Sequence, residues 1–227
     1  MGKAFFVTGT DTEIGKTYVS GLLVKKLKEY GMNPAYFKAA MSGNDRREDG
    51  TLIPGDALHV KEASGVEQSL EAMCPYVYET AVSPHLASRL EGHPVQTDRV
   101  LKELDATLEA YDHVVMEGSG GILCPLCFDE AEFGVEDVIQ ARQLPCVVVA
   151  DAGLGTINHV GLTIFYMQQK GIAVKGVLMN HYIPGNVMQE DNIKMCEHIT
   201  GVPVVACVQD GDTDIALTKE QLEALFA

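Results

Sequence analysis

One segment constrains this chain more than any other: Gly9-Thr10-Asp11-Thr12-Glu13-Ile14-Gly15-Lys16-Thr17, which follows an apolar run and leads into an amphipathic one. A strand that enters a short loop and then starts a helix at Gly-Lys-Thr is the setting of a phosphate-binding loop. Gly9 and Gly15 let the backbone turn tightly and come close to an anion, and successive N–H groups at the helix start then face it. In that arrangement Lys16 reaches the β- and γ-phosphates and the Thr17 hydroxyl ligates Mg²⁺. Five residues separate the two glycines, one more than in the usual spacing. A glycine-rich loop alone is a weak signal. Strand, loop, Gly-Lys-Thr and helix together are specific.

The rest of the chain supplies a matching architecture. Apolar runs predict strands over Ala4–Thr8, Ala35–Lys38, His113–Glu117, Cys146–Ala150, Val174–Met179 and Val204–Cys207. Several are continuously apolar, as strands buried on both faces are. Amphipathic stretches lie between them: Val19, Leu22, Leu23 and Leu27 share one helix face ahead of the stop signal Gly31, and Val100, Leu101, Leu104, Leu108 and Tyr111 share another. Ser83-Pro84 reads as an N-cap followed by proline at the first helical position. Alternating strands and helices imply an α/β fold with a mostly parallel sheet and helices on both faces. No linker divides the 227 residues, so one P-loop domain over 1–227 is expected, with Asn44–Pro54 as an exposed polar loop.

Two further strand ends carry chemistry. Val114-Val115-Met116-Glu117 runs into Gly118-Ser119-Gly120-Gly121. Ligands of open parallel sheets bind beyond the carboxyl ends of strands, so Glu117 is expected beside the phosphate loop as a Mg²⁺ ligand, with the glycine-loop amides facing a second anionic group. Lys38 ends Tyr36-Phe37-Lys38 on the same side, where an ammonium stabilises charge that develops in phosphoryl transfer. Asp56, in Pro-Gly-Asp-Ala-Leu, is a metal ligand or a helix N-cap, and its local sequence favours the cap.

Composition narrows the function classes. With 32 acids against 17 bases the net charge is −15, which disfavours nucleic acid and anionic membranes as partners. No apolar run approaches the roughly 20 residues a membrane span needs, and no signal-peptide pattern opens the chain, so cytoplasm is the expected compartment. Of the six cysteines, Cys124-Pro-Leu-Cys127 forms a C-x-x-C pair. No second pair or spaced His pair supports zinc, and reduced thiols are expected.

Taken together the motifs resemble the dethiobiotin synthetase family. The likeness begins with Phe-Phe-Val-Thr-Gly-Thr-Asp-Thr-Glu-Ile-Gly-Lys-Thr, including the extra loop residue. It continues through Phe37-Lys38 with Ser42-Gly43, Gly55-Asp56-Ala57-Leu58, Ser83-Pro84-His85-Leu86-Ala87 and Glu117-Gly118-Ser119-Gly120-Gly121. It closes on Gly153-Leu154-Gly155-Thr156-Ile157-Asn158-His159 and Asn180. The resemblance implies ATP-dependent carboxylation of 7,8-diaminopelargonic acid with CO₂ and closure to dethiobiotin through a phosphorylated carbamate. It implies that Glu13, Ile14, Gly15, Lys16, Thr17 and Tyr18 bind ATP phosphates, with Gly118, Ser119 and Gly120 also on the nucleotide. The resemblance implies that Thr17, Asp56 and Glu117 hold Mg²⁺, against the local preference for Asp56 as a cap. By the same resemblance Lys38 and Lys16 are expected to be catalytic, Thr12 and Ser42 to lie near the diamine or carbamate, and Asn180 to read the purine. The resemblance also implies a dimer in which Gly153–His159, with Gly155 and Asn158, serves the substrate's carboxylate tail across the interface. Two segments depart from the pattern: Ala81 stands where proline is common, and the base segment reads Val208-Gln209-Asp210-Gly211. Other readings are an amidoligase of the cobyrinic acid synthase type, for whose glutaminase domain 227 residues leave no room, and a regulatory P-loop ATPase.

Overall fold

The computed structural model describes residues 1–128 and 132–227. In chain order the elements are β1 (Lys3–Gly9), α1 (Lys16–Glu29), β2 (Pro34–Lys38), β3 (Ala40–Met41), α2 (Gly55–Ser64), α3 (Leu70–Met73), β4 (Tyr76–Val77), α4 (Pro84–Leu90) and α5 (Thr97–Ala110). There follow β5 (His113–Gly121), β6 (Pro125–Phe128), β7 (Glu132–Gly134), α6 (Val135–Arg142), β8 (Cys146–Asp151), α7 (Thr156–Gln169), β9 (Val174–Asn180), α8 (Val187–Thr200), β10 (Val204–Cys207) and α9 (Lys219–Ala224).

The six strands expected from apolar runs form one sheet in the order β10-β9-β8-β1-β5-β2. Every pairing within it is parallel, and β1 is central. Side chains alternate across a strand, so successive residues of β1 feed opposite layers. Phe5 and Val7 pack with Val19, Leu23, Val60 and Leu222, from α1, α2 and α9. Phe6 packs with Leu104, Val138 and Ile164, from α5, α6 and α7. This double burial explains why the strands read as unbroken apolar runs.

The structure differs from the sequence expectation in four places. First, β5 does not stop at Glu117 but continues through the glycines to Gly121, which pairs with Gly9 of β1. A Cβ on Gly118 would lie 2.8 Å from the Phe6 ring, so this close approach of strand to core excludes a side chain. Second, Asp56 is not an N-cap: Pro54 holds that position and Asp56 lies in the first turn of α2, where a carboxylate meets the positive end of the helix dipole. Third, Asn44–Pro54 is exposed over residues 45–51 as expected, but it is anchored, because buried Asn44 donates to the Tyr78 carbonyl and accepts from Gly55 N–H. Fourth, two small sheets, β3-β4 and β6-β7, are too short to give a periodic signal. Ser83 does hold the N-cap position of α4 with Pro84 behind it, although its hydroxyl makes no capping bond.

Candidate active site

The carboxyl ends of β1, β2 and β5 open into a cleft of about 860 Å³. At its base the backbone of Gly15 adopts φ 88°, a left-handed conformation suited to glycine, and turns β1 into α1. The first turn of α1 carries no acidic residue, and no side chain caps it. Its N–H groups and the positive end of its dipole therefore remain available to an anion. Lys16, 7% exposed, folds back and donates to the Asp11 carbonyl at 2.7 Å. Burial, reinforced by the Lys38 ammonium, lowers its pKa below that of an ordinary lysine.

Register brings the second cation to the first carboxylate. Lys38 of β2 pairs directly with Glu117 of β5, and its Nζ donates to Glu117 Oε1 at 2.7 Å and to Asp56 Oδ2 at 2.6 Å. Glu117 Oε1 also accepts from the Thr17 hydroxyl at 2.8 Å. Burial opposes charge on Lys38, but the two carboxylates outweigh it and raise the pKa. Burial likewise opposes ionisation of Asp56, yet Lys38 prevails and holds that carboxyl below the usual range. Asp56 and Glu117 thus flank one positive charge, the Lys38 ammonium, and the Thr17 hydroxyl bonds Glu117 beside them. Hard oxygen donors of this kind suit Mg²⁺ completed by phosphate and water. Among the described residues no set of three or more His, Cys, Asp and Glu side chains is gathered for a metal.

Of the other expected residues, Thr12, Glu13, Gly15, Ser42, Ser119 and Gly120 line the same cleft. Ser42 donates to the Val82 carbonyl at 2.5 Å and Ser119 to the Ala40 carbonyl at 2.9 Å, which ties the acceptor-side wall together. Ile14 is buried in the core beneath the loop, and Gly118 lies against Phe6. The Tyr18 hydroxyl donates to the Asp212 carbonyl, away from the phosphate loop. Asn180 sits behind that loop, its amide donating to the Ile14 carbonyl at 3.0 Å, while its Oδ1 is buried without a partner. Gly155 and Asn158 do not line the cleft of the single chain; Gly155 is the N-cap of α7 and Asn158 lies in its first turn, both exposed.

Three features were not expected at the cleft from the sequence. Cys124 lines the cleft beside Gly120, its thiol pKa raised by burial, with Lys38 and Lys16 pulling only partly the other way. All six cysteines are free thiols, and Cys127 is buried. Ala81 and Val82 form a wall opposite Ser42 and Gly43. Tyr36, two residues before Lys38 on the same face of β2, reaches Glu117 Oε2 at 3.0 Å.

A central parallel sheet with a glycine-bounded loop, Lys16 and Thr17 at the start of α1, and a strand-end carboxylate beside them defines a P-loop nucleotide-binding protein. Residues 3–213 match the family described as AAA domain. Solved structures with this fold include the MinD cell division protein of Aquifex aeolicus, with a TM-score of 0.52 at 14% identity over 98% of this chain and 86% of that one. A ParA family ATPase of Chlorobium tepidum gives 0.54 at 11% identity, over 99% and 89%. At such identities the likeness concerns the fold. Sequence relatives are nearer. The ATP-dependent dethiobiotin synthetase BioD of Brachyspira hyodysenteriae is 41% identical over 100% of both chains. That of Clostridium kluyveri is 41% identical over 100% of this chain and 95% of its own. The chain belongs to the dethiobiotin synthetase family.

Proposed function

We propose that this protein uses ATP to carboxylate 7,8-diaminopelargonic acid with CO₂ and close the ureido ring of dethiobiotin. The observation that carries the reading is the pair of lysines at one cleft. Lys16 belongs to the phosphate loop, and Lys38 faces the same space from the neighbouring strand. A nucleotide-only site needs the first; an acceptor that carries negative charge needs the second. One amine of the diamine adds to CO₂ and loses a proton, giving a carbamate. A carbamate oxygen attacks the γ-phosphorus as the bond to ADP breaks. The second amine then attacks the carbonyl carbon, and phosphate leaves.

The geometry supports the following roles. The Gly15 turn and the N–H groups of α1 bind the phosphates, and Lys16 neutralises charge there. Thr17, Asp56 and Glu117 would hold Mg²⁺, which when bound supplies charge neutralisation across the phosphates. Lys38, released from the carboxylates that such a cation pairs with, attracts the carbamate oxygens. Ser42 and Thr12 line the acceptor side. The unpartnered Asn180 Oδ1 suits the exocyclic amino group of a purine.

We also propose a homodimer. Leu123, Leu162 and Phe165 are 66%, 63% and 62% exposed, around an apolar groove of about 520 Å³ that adjoins Gly9 and Gly121. A second copy on that face would cover this surface and bring Gly155 and Asn158 within reach of a neighbouring cleft. No helix among the described residues is long and apolar enough to cross a membrane. Six free thiols suit a reducing cytoplasm, where the reaction is placed. The decisive experiment follows ADP release with and without the diamine and bicarbonate. Release that needs both supports the reading, and release indifferent to either defeats it.

A further inference from the structure

Glu117 presents two oxygens to two different environments. Oε1 faces Thr17 and Lys38, at 2.8 and 2.7 Å. Oε2 accepts from the Tyr36 hydroxyl at 3.0 Å. Both side chains are buried, Glu117 at 1% and Tyr36 at 0% exposure. Tyr36 is itself held from outside the sheet. β2 is an edge strand, and the side-chain amide of buried Gln68 closes that edge: its Oε1 accepts from Tyr36 N–H at 2.9 Å and its Nε2 donates to the Tyr36 carbonyl at 3.0 Å. The chain of contacts Gln68–Tyr36–Glu117 thus runs from the sheet edge to the cleft. Burial, and Glu117 beside it, keeps the phenol a neutral donor.

We propose that Tyr36 is a positioning residue for the ligase reaction, fixing the Glu117 carboxylate so that Oε1 faces the cleft and the metal–phosphate group. The inference rests on the reading of Glu117 as a Mg²⁺ ligand. A free carboxylate samples many orientations about its last bond. One buried donor on Oε2 fixes the plane of the group, so that the other oxygen is aimed at the cleft. Outer contacts of this sort on metal-ligating groups typically govern about 10–100-fold in metal affinity or activity.

The test is Tyr36→Phe, which keeps the ring in the core and removes only the donor. Mn²⁺ binding in the presence of a non-hydrolysable ATP analogue is followed by paramagnetic relaxation, and the metal dependence of ADP release is followed beside it. The expected result is metal affinity weaker by about tenfold or more, a matching rise in the metal concentration needed for half-maximal rate, and KM for the diamine close to wild type at saturating metal. Unchanged metal affinity overturns the proposal. The wild-type protein separates the two readings: failure of its ADP release to require diamine and bicarbonate counts against the ligase function, whereas the Mn²⁺ comparison still judges Tyr36. If Tyr36→Phe does not fold, Tyr36→Phe/Glu117→Gln removes the charge left without its donor. Recovery of folding in the double variant ties Tyr36 to Glu117, and failure to recover makes Tyr36 a packing residue and overturns the proposal.

Discussion

Lys16 and Lys38 share one cleft and differ in what they hold. Lys16 donates to a carbonyl of its own loop, and Lys38 donates to two carboxylates. Lys16→Ala is expected to cut turnover by roughly 10²–10³-fold with the fold retained, the scale of losing one preorganised charge contact. ADP release read beside a melting curve checks it. Lys38→Ala should cost at least about 10²-fold in turnover and leave nucleotide affinity within a few-fold. Lys38→Arg should not rescue, because a planar fork does not replace a compact ammonium. Lys38 also stands where a cation between Asp56 and Glu117 belongs. Removing its charge in Lys38→Met should therefore let nucleotide-free protein bind Mn²⁺ about tenfold more tightly, the scale of one pKa unit or one neighbouring charge. Calorimetry that finds equal or weaker Mn²⁺ binding would show that the ammonium does not occupy the cation's place.

At the scale of elements, the phosphate loop depends on backbone that only glycine supplies easily. Gly15 has φ 88°, and a Cβ there would lie 2.1 Å from the Asn180 amide nitrogen. Gly15→Ala combines a left-handed conformation, which costs about 1–2 kcal/mol, with displacement of Asn180 from behind the loop. ATP affinity measured by calorimetry should fall by more than about tenfold, since the N–H groups of α1 lose their aim. Gly31, just past α1, has φ 75° and open space around it, so Gly31→Ala should carry the strain alone and leave ATP binding intact. The loop itself is legible in the sequence because all its parts are contiguous. The run from Gly118 to Gly121 is not, since glycines read locally as a turn. Only pairing of Gly121 with Gly9 makes them a strand.

Across the whole molecule, buried ionisable groups set a pH window. The lowered pKa of Asp56 contributes stability above the ordinary carboxylate range of about 4, and this is lost as pH falls through its depressed value. The raised pKa of Lys38 contributes stability below about 10.5, lost as pH rises past that point. Burial pushes the Cys74 thiol up to about 12 and that of Cys196 up to about 11. In the unfolded chain thiols ionise near about 8.5, so folded stability should decline from there upward. Urea midpoints at about pH 8 and 10, compared between wild type and Cys74→Ala, test this: the variant should show the shallower alkaline loss. The apolar face around Leu162 and Phe165 belongs to this scale too. On the proposed dimer, Phe165→Asp should yield a monomer by light scattering, with reduced activity and unchanged melting of the single chain; a dimer that persists would put the interface elsewhere.

The sequence by itself determined what is written in neighbouring residues. Strand, loop, Gly-Lys-Thr and helix state the phosphate site outright, and continuous apolar runs state six parallel strands, because local backbone preference and burial on both faces act over a few residues. The tertiary structure decided which distant groups meet. Thr17, Lys38, Asp56 and Glu117 come from four segments, and β1 lies between β5 and β8 rather than beside β2. Asp56 shows the difference: its neighbours suggest a cap, and its partner Lys38 is supplied by another element. Tyr36 and Gln68 look like an ordinary core tyrosine and a loop glutamine until the sheet edge brings them together. Strand order and register decide these contacts, and both depend on how whole layers bury one another, which no short-range period records.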